Sequence, residues 1–383
     1  MSSEGLADAL EGLALVDHHV HGATAEDLDR AAFEQLVSES DRPPARGTTR
    51  FDSQVGLAML RWCAPLLDLP PHPDPDAYLA RRRELGAEEV TRRLLRASGV
   101  GRYLVETGYG GTTTLSPEGM AAAAGVPADE VVRLERVAEE LALEGGATAG
   151  GFAAAFAGAL ERRTSRAVGL KTIIAYRLGL DFDPEPPAPG EVAAAAGRWL
   201  GEVEATGRAR VEDPVLLRHV VWAGVERGLP LQVHSGFGDP DVRLARTDPA
   251  LLTRFLELVE PHGVDVLLLH CYPFQRQAGF LAHSYPHVYL DVGLAVNYAG
   301  LRADAVIAES LELAPFGKVL FSSDAWGPAE LHFLGALLFR RGMAHTLGAW
   351  VEEGAIRGAD AVRIAGMVGA GNARRVYRLG DER

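Results

Sequence analysis

Cysteine is almost missing: Cys63 and Cys271 are the only two in 383 residues, far apart and without a C-x-x-C partner. That spacing excludes a disulfide scaffold and a zinc ribbon. Cys271 adjoins His270, yet the ordinary reading of a lone cysteine in an apolar run is a buried residue, not a reactive thiol. Long apolar runs are missing too, since no stretch approaches the roughly 20 residues that a membrane span needs. The opening residues lack the basic start and small-residue cleavage site of a secretory signal, so the expectation is a cytoplasmic protein with no membrane partner. Positive charge is in deficit, with 38 Lys and Arg against 52 Asp and Glu and a formal net charge of −14. Such a surface repels a phosphate backbone, and no basic stripe with interleaved aromatics offsets it, so nucleic acid is not an expected partner. No internal repeat is visible at about 20 to 50 residues.

What is present is apolar residues in quantity, 47% of the chain, enough for a large core. From about residue 98 onward, short β-branched or leucine-rich runs alternate with longer alanine-rich segments at helical spacing, the pattern of parallel strands joined by crossover helices. After LALVDHHVH come GRYLVETGY, ending at Tyr109, VVRLERV from Val131 and AVGLKTIIAYR from Ala167. LPLQVHSG from Leu229, VDVLLLHCY from Val264, HVYLDVGLA from His287 and KVLFSSDAW from Lys318 follow. Eight candidates fit an α/β fold of the (β/α)8 TIM-barrel kind as a single domain over residues 1–383. VVRLERVAEELALEG also reads as the start of a helix. Residues 22–98, between the first and second strands, are expected to form a helical insertion serving as a lid or pocket wall. Its charge-rich helix reads as a solvated surface. The segments after the eighth strand are expected to be helices that close the barrel.

Polar residues recur at the carboxyl ends of these runs, the barrel face where active sites are built. His19 and His21 end the first strand, Lys171 lies in the fourth, His234 ends the fifth, His270 the sixth and Asp324 the eighth. Side chains two apart on a strand share a face. His19 and His21 therefore point together and can chelate one divalent ion, while His18 points away. His72, His219, His262, His283, His287, His332 and His345 lie on other segments and read as structural or surface residues.

In this set, DHHVH, QVHSG, LLHCY and FSSDA in that order, the sequence resembles the amidohydrolase superfamily of metal-dependent hydrolases. That superfamily carries an H-x-H pair on its first barrel strand, histidines on the fifth and sixth, and an aspartate on the eighth. YLVETGYGG, GLKTIIAYRLGL, LQVHSGFGDPD and NARRVYRL are similar to its amidohydrolase-2 branch, which includes domains fused to glutamine synthetase-like proteins and relatives that decarboxylate or open lactones. Imidazoles with a carboxylate suit zinc. The resemblance thus implies one Zn²⁺ held by His19, His21, His234 and Asp324, with Asp324 also moving protons and His270 orienting the water or the oxyanion. In a two-metal arrangement a carboxylated Lys171 would bridge the ions, with His234 and His270 on the second.

With one ion, Lys171 would stay an ammonium and bind a substrate carboxylate. Arg177 and Arg243 could also grip a carboxylate, although Arg243 reads more readily as a structural salt bridge. Tyr109, Tyr176 and Trp326 are candidates for the pocket wall. The expectation is hydrolysis of an amide-type C–N bond in a small carboxylate-bearing molecule, a γ-glutamyl amide being one candidate on resemblance alone. The competitors are a non-oxidative decarboxylase, a lactonase, and a binding or regulatory barrel without turnover. Self-association into a homo-oligomer is left open.

Overall fold

Seven parallel strands pair in chain order to form one curled sheet. They are β1 (Leu15–Val20), β2 (Val100–Glu106), β3 (Ala128–Arg133), β4 (Gly169–Thr172), β5 (Leu231–Ser235), β6 (Val266–His270) and β7 (Val288–Leu290). This computed structural model describes residues 3–24, 26–110 and 113–380. Helices connect successive strands, so the α/β expectation holds. The eighth stretch, from Lys318, takes no strand conformation. Its backbone nevertheless bonds on both sides: Leu320 N donates to Leu290 O at 2.9 Å, His18 N to Phe321 O at 3.2 Å, and Asp324 N to His19 O at 3.1 Å. Regular pairing ends there because Ser323 N is taken by the Asp17 carboxylate at 2.9 Å, and Asp324 adopts a left-handed φ of 46°.

Two boundaries differ from the sequence reading. β3 starts at Ala128 and stops at Arg133, where the helix Leu134–Leu143 begins, so the strand and helix readings apply to consecutive halves of one segment. β4 stops at Thr172 rather than running on to Arg177. Glu135 of that helix accepts from Thr172 Oγ1 at 2.5 Å and Ile173 N at 3.0 Å, and a short helix, Ile174–Arg177, follows.

Within residues 22–98 lie the helices Arg30–Leu36, Gln54–Trp62, Pro75–Leu85 and Ala87–Ala97. Asp29, Ser53 and Asp74 cap the first three with side-chain oxygens, each satisfying an otherwise orphaned N–H. Gly86, at φ 80°, separates the last two, a conformation that glycine adopts without Cβ strain. The charge-rich pair is not wholly solvated: Arg82 is buried, with Nε 2.9 Å from Glu330.

The core has two parts. Outward-facing Val132, Leu170, Val233, Val266 and Leu268 pack under the helices. Inside the curl, Val16, Leu104, Val131, Leu267 and Leu320 meet Ala373, Val376 and Tyr377 from the last helical segment, which plugs the end where the strands begin. No helix among the described residues is long and apolar enough to cross a membrane. Both cysteines are buried, and Cys271 Sγ lies 3.2 Å from Leu268 O.

At the plugged end, Arg340 of the helix Ala329–Glu352 donates to Ser98 O at 2.6 Å and to Leu13 O and Gly99 O at 2.8 Å each. It thereby ties that helix to the approaches of β1 and β2. Arg340→Met should lower stability in a urea melt by about 2 to 4 kcal/mol, the scale of losing charge-assisted bonds to buried carbonyls, while leaving metal content unchanged.

Candidate metal centre

Above the apolar plug, the inner face of the sheet turns polar. Alternation along each strand places Glu106 two residues beyond Leu104, Arg133 two beyond Val131, and His234 two beyond Gln232. At the rim, His19, His270 and Asp324 each bring one ligand-type atom within 4.8 Å of the others. His19 Nε2 is 3.0 Å from Asp324 Oδ1, His270 Nδ1 is 3.2 Å from Asp324 Oδ2, and His21 Nε2 is 3.7 Å from Asp324 Oδ1. The His234 ring stands 4.6 Å from that of His270. Of the four expected ligands, His19 and Asp324 meet in the tightest trio with His270 as its third member, while His21 lies beside Asp324 and His234 beside His270.

Their chemistry suits a cation. His19 Nε2, His234 Nε2, His270 Nδ1 and Asp324 Oδ1 are all buried and make no hydrogen bond, a costly state for polar atoms unless another group meets them. Burial pushes the three imidazoles well below their ordinary pKa; Lys171 adds to this at His19 and His234, and His234 adds at His270. They are therefore neutral, the form that binds metal. Burial also pushes Asp324 well up, against the pull of Lys171. The donor set fits a divalent ion.

Residues behind the ligands fix how they point. His19 Nδ1 lies 2.8 Å from Gln232 Oε1, and the Gln232 amide donates to His18 O at 2.8 Å and Tyr377 Oη at 2.7 Å. The amide is thereby oriented so that His19 keeps its proton on Nδ1 and presents Nε2 to the rim. His21 Nδ1 lies 3.1 Å from Glu106 Oε2. Burial would raise Glu106, but Arg133, bonded to it at 2.6 and 3.0 Å, and His21 outweigh this and hold it well below the usual carboxylate range. His18 does not line the cavity; it is buried one layer below, 2.9 Å from Asp291 and 3.0 Å from Tyr377 Oη. His332 Nε2 reaches His21 O at 3.1 Å from the long helix.

The centre opens into a cavity of about 560 Å³ that Lys171, Arg177, Tyr109, Tyr176 and Trp326 also line. Lys171 is 2% exposed and pushed down to about 8 by burial, with Asp324 opposing. Arg177 spans 3.2 Å from Nη2 to Glu139, so it is a structural ion pair and a wall residue at once. Trp326 packs edge-on against Tyr109, and Tyr176 against His234. Arg243 is exposed and outside this wall. Sequence reasoning missed Gln232, Glu106, Arg133 and Asp291. Gln232 was findable from its spacing of two from His234; Glu106 and Arg133 share the inner face with Leu104 and Val131, which carried no site signal. It also missed Glu39, which carries no strand-end signal.

A family model described as amidohydrolase matches residues 112–379. Protein fluG of Emericella nidulans is 31% identical over 227 residues, which are 56% of this chain and 26% of that protein, so the chain spans about a quarter of that relative. Among solved structures, a Lactobacillus casei protein described provisionally as a metal-dependent hydrolase superposes with a TM-score of 0.84 at 26% identity over 97% of each chain. The uronate isomerase of Bacillus halodurans shares the fold at a TM-score of 0.66 and 12% identity, over 99% of this chain and 96% of the other.

Protein purified with zinc in the medium should hold about one equivalent of divalent metal per chain, and His19→Ala and Asp324→Ala should lose it. Gln232→Leu should keep the fold but weaken metal affinity about 10- to 100-fold in a chelator competition. Affinity unchanged in that variant would remove Gln232 from the ligand-orienting role.

Proposed function

The chain belongs to the amidohydrolase family, and from that premise we propose that it hydrolyses an amide-type C–N bond in a small carboxylate-bearing molecule at one divalent ion, Zn²⁺ being the expected metal. The observation that carries this reading is the set of buried, hydrogen-bond-free acceptors of His19, His234, His270 and Asp324 facing one cavity. His19, His21, His234 and Asp324 are the proposed ligands. When bound, such an ion supplies a Lewis acid and lowers the pKa of a water to about 7.

The chain's own residues do the rest. Asp324 accepts the proton of the attacking water and passes it to the departing amine, acting first as general base and then as general acid. His270, 3.2 Å from Asp324 Oδ2, steadies charge on the carbonyl oxygen as the tetrahedral centre forms. Lys171 remains an ammonium and, with Arg177, receives the substrate carboxylate. Residues 22–98 act as a pocket wall, since Gln35, Ser38 and Glu39 line the cavity. The whole is read as one (β/α)8 domain. γ-Glutamyl amides are a candidate substrate class.

A panel of amides, lactones and carboxylic acids given to zinc-loaded protein tests this. Release of amine supports the reading; release of CO₂, or lactone opening alone, replaces it with a decarboxylase or lactonase, and tight binding without turnover with a silent barrel. Two metal equivalents together with activity lost in Lys171→Ala would overturn the one-ion choice.

The role of Lys171 has a pH signature. Its ammonium is present below about 8 and lost above it, so KM for an anionic substrate should rise as pH passes 8. Lys171→Met should raise KM about ten-fold or more at pH 7, the worth of one charge-assisted bond, and abolish that pH dependence.

A further inference from the structure

The cavity carries two kinds of charge, and they are not equally matched inside the protein. Of its carboxylates, Asp241 pairs with Arg210 at 3.3 Å and Asp41 with Arg42 at 3.7 Å. Asp324 belongs to the metal trio. Glu39 and Asp239 also line the wall, and among the described residues neither has a cationic side chain at ion-pair distance. Glu39, on the loop after the helix Arg30–Leu36, accepts from Tyr298 Oη at 3.0 Å, with the Trp326 indole alongside. These neutral donors orient its carboxylate without neutralising it. Asp239, on the loop after β5, accepts from Asp241 N at 2.9 Å. Arg210, the cation whose field reaches Asp239, is itself engaged by Glu212 at 2.7 Å and by Asp241.

The basic pole has a corresponding vacancy in its bonding. Arg177 is 93% buried, since its side chain is 7% exposed. It bonds Glu139 through Nη2 and leaves Nε and Nη1 without a partner. Lys171 is buried as well. The cavity lining thus holds both carboxylates awaiting a cation and cationic donors awaiting an acceptor.

We propose that the cavity selects a substrate whose non-reacting end carries a protonated amine as well as a carboxylate, the amine received by Glu39 and Asp239 and the carboxylate by Arg177 and Lys171. The inference rests on the cavity being the substrate site, as proposed above, and narrows the substrate class to zwitterions of the amino-acid kind. An ammonium offers up to three donors and one charge, which suits two carboxylates held near each other by neutral donors. Burial, with Asp239 adding to it, pushes Glu39 up to about 7, as expected of a carboxylate that lacks its counter-ion. A wholly anionic ligand would leave that pair of like charges uncompensated. A neutral polyol could accept no charge from it.

The test is calorimetric titration of the zinc-loaded full chain with matched pairs of α-amino acids and their desamino acids, glutamate with glutarate and aspartate with succinate among them. At least one amino member should bind about ten- to a hundred-fold more tightly than its partner, the worth of a charge-assisted contact. Glu39→Gln and Asp239→Asn, each checked for an unchanged circular dichroism spectrum and melting, should each shrink that ratio towards one by weakening binding of the amino member. No pair showing an amine preference, or a preference intact in both variants, overturns the proposal. So does zinc titrating to a second equivalent that both variants abolish, because that would make the pair a cation site. The readout involves no turnover. Amine selectivity without amide cleavage would overturn only the reaction proposed above, and amide cleavage without amine selectivity would overturn only this inference.

Discussion

The arrangement at the rim depends on one electrostatic constraint: lone pairs from three imidazoles and a carboxylate have been removed from water without being given donors. His19 Nε2 and Asp324 Oδ1 sit 3.0 Å apart and yet do not hydrogen-bond. Desolvation of that kind is tolerated where a cation supplies what water no longer does. The layers beneath are consistent with it. Gln232 satisfies His19 Nδ1 and Glu106 satisfies His21 Nδ1, so each ring has one nitrogen assigned downward and the other left for the rim. Below them, apolar side chains from the sheet and the last helical segment close the interior, which keeps the effective dielectric low and the orientations fixed.

Two backbone distortions deliver the decisive side chains. Simple alternation along β6 would place His270 with Val266 and Leu268, which pack outward under the helices. A φ of 68° at His270 turns its side chain to the rim instead, and Asp324 adopts φ 46° at the corresponding place. For non-glycine residues such conformations cost about 1 to 3 kcal/mol each. The neighbouring bonds hold them: Asp291 Oδ1 accepts from His270 N and Gly293 N at 2.8 Å each, and Asp17 accepts from Ser323 N and Oγ. Asp17 and Asp291 are thus the carboxylates that make the strained rim sustainable. Neither touches the cavity.

This division explains what was legible in the sequence. Strand-end positions of His19, His21 and His234 follow from the apolar runs ahead of them, and their turning to one rim follows from the strands being parallel; Asp324, like His270, is delivered by a left-handed φ. The place of His270 in the tight trio was not legible, because it depends on a left-handed residue that no periodicity encodes. Nor was the end of β4 at Thr172, which is set by Glu135 reaching across from another segment. Gln232 was legible in principle, being two residues ahead of His234 on the same face. Glu39 was not, because its position in the wall is fixed by Tyr298, 259 residues away.

The same division separates reaction from selectivity. Apart from Lys171, the site residues on the sheet converge towards the rim whatever the ligand, so they bear on the reaction and say little about the molecule that undergoes it. Recognition must come from the walls, and these are built by residues 35–41, the loop after β5 and the short helix after β4. The net charge of −14 does not decide the matter either, because exposed charges more than about 8 Å away are largely screened at physiological ionic strength. Inside the cavity that screening fails. There, on the proposed reading, the balance of unpaired carboxylates against Arg177 and Lys171 would set which ligand charges are favourable, because those buried cations line the cavity itself.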